Sequence, residues 1–118
     1  MKFKLIVIMV EDLRTQSVVD AARKAGATGL TVLNQARGEG VVPQRTFLGL
    51  SMESQVDVLL LLAEEHRSRK ILERVAAAGE FDEQSGTGIA FQVDVEDAIG
   101  LKHQIEVLKS AREGDGPA

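Results

Sequence analysis

One apolar pattern occurs twice in this chain, and that repeat constrains the fold more than any other feature. Residues 5–10 match residues 58–63 at a shift of 53, and Gly26 matches Gly79 at the same shift. Both runs are short, aliphatic and without polar side chains, which is typical of buried strands. The sequence therefore predicts two copies of one unit, each beginning with a buried strand.

A helix and a second strand are predicted after each run. Four apolar residues in each half share one helical face: Val18, Val19, Ala22 and Ala25, and then Ile71, Leu72, Val75 and Ala78. Gly26 and Gly79 follow these faces and are predicted to end the helices in the left-handed conformation. Residues 30–36 and 89–96 are predicted as the closing strands, since the latter alternate between apolar and polar side chains.

Two strand–helix–strand units in succession predict an α+β fold, the ferredoxin-like β-α-β-β-α-β sandwich with an antiparallel sheet in the order 4-1-3-2. The length of 118 residues suits one domain, predicted over residues 1–112 and followed by a frayed tail, 113–118. Right-handed crossovers place both helices on one face of the sheet. Because the central strands are apolar on both faces, we expect the open face to mediate self-association. Alternatively, a C-terminal helix over 104–112 covers part of it.

Two connections are longer than this fold requires, and the topology brings both to one end of the sheet. The first spans residues 38–55, and the second, residues 80–88, contains a six-residue insertion relative to the first half. Long connections in a compact domain are usually functional. Each carries a Gly-x-Gly pair, which lets backbone amides face an anion, although no Walker motif is present. A binding site is therefore predicted at this end.

Composition excludes several classes of function. The net charge of −4, with no Trp or Tyr, argues against nucleic-acid binding. The absence of Cys excludes disulfides and thiolate metal sites, and the presence of only two His residues argues against a His-rich metal site. His66 is predicted to be a solvated or capping residue near the start of the second helix, and His103 has no nucleophile or metal-ligand partner nearby in sequence. No catalytic residues are therefore predicted, and the protein is not expected to be an enzyme. Apolar runs of six residues are too short to span a membrane, and we expect a cytoplasmic protein.

The order of three motifs resembles the PII nitrogen-regulatory signalling family. They are residues 26–32, 36–40 and 86–95, and the resemblance covers residues 2–102. It implies a homotrimeric signal-transduction protein in nitrogen regulation, without a required cofactor, that binds ATP, ADP or AMP as an effector in clefts between subunits. The resemblance places Thr31, Gly38 and Gly40 at the base of loop 38–55, beside the nucleotide. The other implied nucleotide-binding residues are Gly86, Thr87 and Gly88, which would hold phosphates, and Lys102.

The resemblance also implies that loop 38–55 docks on a target enzyme or membrane transporter. Its candidate contact residues are Arg45, Phe47, Leu48, Leu50 and Met52. The chain departs from the family pattern at several positions. Ile89 replaces a phosphate-binding lysine, Gly100 replaces a basic residue, and Val42 replaces the glutamine that contacts 2-oxoglutarate. A divergent, PII-like member is therefore expected, with a ligand that carries fewer phosphates or is a different small molecule.

Three other functions fit parts of the pattern. A metal-binding trimer resembling the CutA proteins would share the topology, but the chain has few metal-ligand side chains. An amino-acid-binding regulator of the ACT type leaves the long connection at 38–55 unexplained. A small ferredoxin-like enzyme would need a nucleophile and a base, and the sequence offers no such pair.

Overall fold

The computed structural model describes residues 2–37 and 55–115, and it has the predicted ferredoxin-like order of elements. The strands are β1 (Phe3–Glu11), β2 (Thr31–Arg37), β3 (Gln55–Glu64) and β4 (Gly88–Asp94). The helices are α1 (Thr15–Lys24), α2 (Glu65–Gly79) and α3 (Lys102–Asp115). A short 3-10 turn, Asp12–Arg14, joins β1 to α1. The predicted loop residues 38–54, including Gly38 and Gly40, lie outside the described residues.

The four strands form one sheet in the order β2-β3-β1-β4, and every pair of neighbours is antiparallel. This confirms both the predicted strand order and the predicted directions. Residue Ile8 of β1 lies between Leu59 of β3 and Ala90 of β4. The two strands with unbroken apolar runs are thus the central ones, as expected for strands that contact protein on both edges and both faces.

Helices α1 and α2 pack on one face of the sheet and enclose the core. The core side chains of the sheet are Ile6, Ile8, Val10, Leu59, Leu61 and Ala63. The helices contribute Val18, Val19 and Ala22 from α1 and Ile71 and Val75 from α2. Burial of each large aliphatic side chain stabilises the fold by about 1.5–3 kcal/mol. The predicted face of α1 is confirmed, and that of α2 is confirmed at Ile71 and Val75. Leu72 is partly buried at the margin of the core, and Ala78 is partly buried outside the core cluster.

The opposite face of the sheet remains apolar and partly exposed. Leu33, Phe91 and Val93 lie on it with exposed fractions of 50%, 38% and 44%. Leu101, just before α3, lines a cavity together with Leu5 and residues 60–62. Leu101 therefore lies at this face while Phe91 and Val93 stay exposed, and cover of the face by a helix over 104–112 stays a prediction.

The two glycines predicted to end the helices differ in role. Gly26 has a φ of 114° just after α1, which confirms its prediction. The prediction for Gly79 is wrong, because the left-handed residue is Glu80, with φ 54° and ψ 41°. Gly79 is required by packing instead, since a Cβ atom there would lie 2.2 Å from Cε1 of Phe81.

Helix α3 is longer than predicted at both ends. It begins at Lys102 and ends at Asp115, whereas the sequence predicted a helix over 104–112. Residues 113–115, assigned to the tail from the sequence, therefore continue the helix. The remaining tail, 116–118, lies outside the described residues, and the single-domain boundary stays a prediction.

An ion pair at the edge of the sheet leads to a pH prediction. Lys4 on β1 donates a hydrogen bond to Asp94 on β4, which lowers the pKa of the Asp94 carboxyl and raises the pKa of Lys4. The stabilisation from Asp94 is complete above the ordinary carboxyl pKa and is lost as the pH falls through the lower folded value.

Acidification from about pH 6 to about pH 3 should therefore lower the unfolding midpoint of the wild type more than that of Asp94→Asn. We expect a small difference, because the Asp94 side chain is exposed. Urea unfolding at both pH values measures it. Asp97→Asn removes an exposed carboxylate without a described partner and should behave like the wild type. Equal acid sensitivity of the two variants would contradict the prediction.

Candidate functional site

The stems of loop 38–55 and the end of the second long connection lie at one end of the sheet, as predicted. The loop after β2 leaves at Arg37 and returns at Gln55, and these two residues are Cα partners. At the same end, Val10 is the Cα partner of both Asp57 and Gly88. Residues 80–88, here called the glycine loop, therefore end beside the described stems of loop 38–55.

Hydrogen bonds within the glycine loop hold its backbone. The amide of Gln84 donates to the carbonyl of Glu80 at 3.0 Å, and the Thr87 hydroxyl donates to the carbonyls of Glu80 and Gln84 at 3.0 and 3.2 Å. The amide of Glu11 donates to the carbonyl of Thr87 at 3.0 Å, which ties the loop to β1. The Thr87 side chain is buried and engaged within the loop, so a contact from Thr87 to a ligand would have to come from its backbone.

Gly86 and Gly88 meet two different structural requirements. Gly86 has a φ of 83°, a conformation that favours glycine. Gly88 is confined by its neighbours, since a Cβ there would lie 2.4 Å from Cε1 of Phe81 and 2.7 Å from the carbonyl oxygen of Met9. The Phe81 ring thus occupies the space that Gly79 and Gly88 leave open. This packing anchors the glycine loop on the sheet.

Arg14 connects the glycine loop to the end of β1, and sequence reasoning missed it. Its Nε donates to Glu11 at 2.7 Å, its Nη1 to Glu80 at 2.9 Å and its Nη2 to Gln84 at 3.0 Å. Gln84 in turn donates to Glu80 at 2.7 Å. The hydrogen bonds to Glu11 and Glu80 raise the pKa of Arg14. The only sequence signal was the i, i+3 spacing of Glu11 and Arg14.

A cavity of about 370 Å³ lies between α2, the glycine loop and β4. Its walls carry three acidic side chains, Glu73, Asp82 and Glu83, against one cation, Arg69. Arg69 is itself hydrogen-bonded to Glu73 at 3.0 Å. This charge balance disfavours a polyanion in the cavity. Arg14, which pairs with Glu80, does not line this cavity.

Thr31 lies away from the glycine loop. The prediction that Thr31 lies at the base of the long loop is wrong, because Thr31 begins β2 and the loop follows the other end of that strand, at Arg37. Strands β2 and β4 are the two edges of the sheet, separated by three strand spacings of about 4.8 Å each. One chain therefore holds Thr31 and the glycine loop apart.

Thr31 instead lines a second cavity, of about 310 Å³, on the open face. Leu101 lines the same cavity, and Lys102 follows Leu101 at the start of α3. Thr31 and Lys102, two of the predicted ligand contacts, therefore lie in the same region of the fold. The glycine loop forms a second, separate group. The predicted partner contacts Arg45, Phe47, Leu48, Leu50 and Met52 lie outside the described residues.

Neither histidine belongs to a cluster of reactive side chains within the described residues. The Nδ1 atom of His66 is 3.2 Å from Glu64, at the end opposite the glycine loop, and that of His103 is 3.7 Å from Glu106 on exposed α3. Within residues 2–37 and 55–115, no three His or acidic side chains converge as metal ligands. None of the helices in these two ranges is long and apolar enough to cross a membrane.

Solved structures of similar fold carry PII-like names. A PII-like signalling protein from Thermus thermophilus shares 27% identity, with 80% of this chain and 87% of that chain covered and a TM-score of 0.59. The apo form of CPII from Thiomonas intermedia, a nitrogen regulatory PII-like protein, shares 17% identity over 80% of this chain and 90% of that chain, with a TM-score of 0.62. The structure of CPII bound to ADP, AMP and acetate, from the same organism, shares 19% identity. The match covers 81% of this chain and 90% of that chain, with a TM-score of 0.60.

Sequence comparison identifies the family to which the chain belongs. A search of curated proteins gives no significant match. The family described as nitrogen regulatory protein P-II matches residues 3–104, which is most of the chain. That range includes β1 to β4, both long connections and the first residues of α3. This chain therefore belongs to the nitrogen regulatory protein P-II family.

Proposed function

We propose that this protein is a trimeric sensor that binds an adenine nucleotide between subunits and regulates a target enzyme or transporter through residues 38–55. Members of the family are regulatory proteins that form trimers and bind nucleotides. The observation that carries the proposal is the meeting of the glycine loop with the stems of loop 38–55 at one end of the sheet.

The open sheet face supports the trimer. Phe91, Val93 and Leu33 form part of an apolar surface that a lone chain leaves exposed to water. Contact with two further copies would bury these side chains, and burial of apolar surface is the main favourable term in protein association.

The separation of the two candidate contact groups supports a site between subunits. Thr31 and Lys102 lie apart from the glycine loop within one chain. A cleft between neighbours would bring the glycine loop of one subunit to Thr31 and Lys102 of the partner subunit. Gly86, Thr87 and Gly88 would then offer backbone amides to phosphate, and Lys102 would supply positive charge. Gly38 and Gly40 would complete the site from the base of loop 38–55.

The charges around the glycine loop favour AMP or ADP over ATP. Asp82 and Glu83 are acidic, and Ile89 stands where the family has a phosphate-binding lysine. The solved structure of CPII with ADP and AMP agrees with a ligand of few phosphates. Each added phosphate increases repulsion from the acidic side chains, because like charges at close range oppose binding.

Calorimetric titration tests the ligand. We expect ADP or AMP to bind about tenfold more tightly than ATP, the equivalent of roughly 1.4 kcal/mol. GDP is the matched control for recognition of the base and should bind more weakly. Parallel titrations with 2-oxoglutarate and bicarbonate test other small ligands. No heat with any adenine nucleotide would contradict the proposed ligand, and tightest binding of ATP would contradict the charge argument.

Loop 38–55 is the segment that we propose binds the target protein. Its apolar residues Phe47, Leu48, Leu50 and Met52, with Arg45, would contact the target protein. Nucleotide bound at the base of the loop would order it, which is an order–disorder switch of a common kind. Nitrogen metabolism is the proposed setting, in line with the family.

A further inference from the structure

We propose that Arg14 is a positioning residue for nucleotide binding: it holds the glycine loop in the conformation in which the loop backbone meets a phosphate. This inference rests on the proposed role of the glycine loop as the phosphate site. Arg14 itself lies outside the loop and need not touch the ligand.

The guanidinium of Arg14 joins three parts of the fold. Glu11 ends β1, while Glu80 and Gln84 lie in the first half of the glycine loop, and all three accept hydrogen bonds of 2.7–3.0 Å from Arg14. Its Nη1 also lies 3.4 Å from the carbonyl oxygen of Gly79, at the end of α2. The planar, forked arrangement of arginine donors suits such divergent partners, whereas a lysine presents a single ammonium.

Glu80 shows why the loop needs an external support. It is the one non-glycine residue with a positive φ among residues 2–37 and 55–115. A side chain in the left-handed conformation is strained and persists only where its surroundings hold it. Arg14 and the Gln84 side chain donate to the Glu80 carboxylate, and the Thr87 hydroxyl and the Gln84 amide donate to its carbonyl. Of these donors only Arg14 lies outside the glycine loop, so loss of Arg14 would leave Glu80 held by the loop alone.

Charge gives Arg14 a second effect on an anionic ligand. The glycine loop contains Glu80, Asp82 and Glu83 and has no lysine or arginine of its own. By pairing with Glu80 at 2.9 Å, Arg14 offsets part of this negative charge. A phosphate that approaches the loop therefore meets less repulsion than the sequence of the loop alone suggests.

Arg14 lies outside the apolar core, which allows its role to be tested in a folded protein. The Phe81 ring packs against the core beside Gly79 and Gly88, and so attaches the loop to the sheet through contacts that do not involve Arg14. Arg14→Gln should therefore keep the overall fold while loosening residues 80–87. Arg14→Lys keeps the positive charge and loses the forked geometry.

The experiment compares ADP with adenosine on the full chain. For Arg14→Gln we expect the affinity for ADP to fall about tenfold, the effect of one lost charge-assisted hydrogen bond, and the affinity for adenosine to stay unchanged. Amide hydrogen exchange in residues 80–87 should become faster. Arg14→Lys should lie between the wild type and Arg14→Gln. Arg23→Gln, an exposed arginine of α1, is the matched control and should behave as wild type.

Two results would overturn the role of Arg14. One is unchanged ADP affinity with unchanged exchange in residues 80–87. The other is an equal loss of ADP and adenosine binding, which indicates general damage to the fold. Should the wild type bind no adenine nucleotide, the proposed function is wrong and with it the ligand part of this inference. The exchange comparison then decides alone whether Arg14 holds the loop.

Discussion

Val7→Glu is expected to convert the proposed trimer into separate chains. Val7 lies on the open face in the central strand β1, between Leu60 on β3 and Phe91 on β4. In the trimer this position would face apolar side chains of neighbouring subunits. An unpaired carboxylate there loses its hydration without a partner, which costs several kcal/mol or is avoided by dissociation.

Light scattering measures the effect. The wild type should have three times the chain mass of 12.7 kDa, and Val7→Glu should have the mass of one chain. Since the proposed nucleotide site requires two subunits, ADP binding should be lost together with the trimer. Ala77→Glu adds the same charge to the exposed surface of α2 and should remain trimeric. A wild type of single-chain mass, or a Val7→Glu variant that stays trimeric, would contradict the prediction.

Gly88→Ala should destabilise the protein, because one of the atoms that the new Cβ meets belongs to the backbone. The new Cβ would meet the Phe81 ring and, at 2.7 Å, the carbonyl oxygen of Met9, which the strand pairing holds in place. Overpacking of this kind costs about 1–3 kcal/mol. We therefore expect the free energy of unfolding in urea to fall by the same amount. All samples are compared at one protein concentration, because the proposed subunit association would contribute to stability.

Gly29→Ala is the matched control, because a Cβ at Gly29 has no atom within 4 Å and its backbone has no positive φ. Its stability should stay within about 0.5 kcal/mol of the wild type. The double variant Gly88→Ala with Phe81→Leu should recover part of the loss, since a smaller side chain relieves one of the two contacts. Equal destabilisation by the two glycine substitutions would show that space at Gly88 is not the cause.

Much of the fold could be predicted from local patterns. Unbroken apolar runs marked the central strands, and helical spacing of Val18, Val19 and Ala22 marked the buried face of α1. The repeat indicated the ferredoxin-like arrangement, whose usual strand order and directions placed both long connections at one end. The right-handed crossover rule placed both helices on one face. These features depend on periodicity and chain topology, which a sequence displays directly.

The two wrong predictions concern features that side-chain packing and strand direction decide. The sequence predicts Gly79 as a helix stop, but Gly79 makes room for the Phe81 ring, and Glu80 takes the left-handed conformation. The family resemblance implies Thr31 at the base of the long loop, but Thr31 begins β2 and the loop follows the other end of that strand. Motifs record which residues occur together along the chain and not which end of a strand they occupy.

The sequence by itself determined the class of fold, the duplicated architecture, the buried faces and the family, because hydrophobic periodicity and motif order are local properties of a chain. Only the tertiary structure decided how the glycine loop is held and which predicted contacts share a site. Arg14 reaches Glu80 and Gln84 across 66 and 70 positions of sequence. Such a contact depends on how two helices and a strand end meet in space, and no spacing along the chain encodes it.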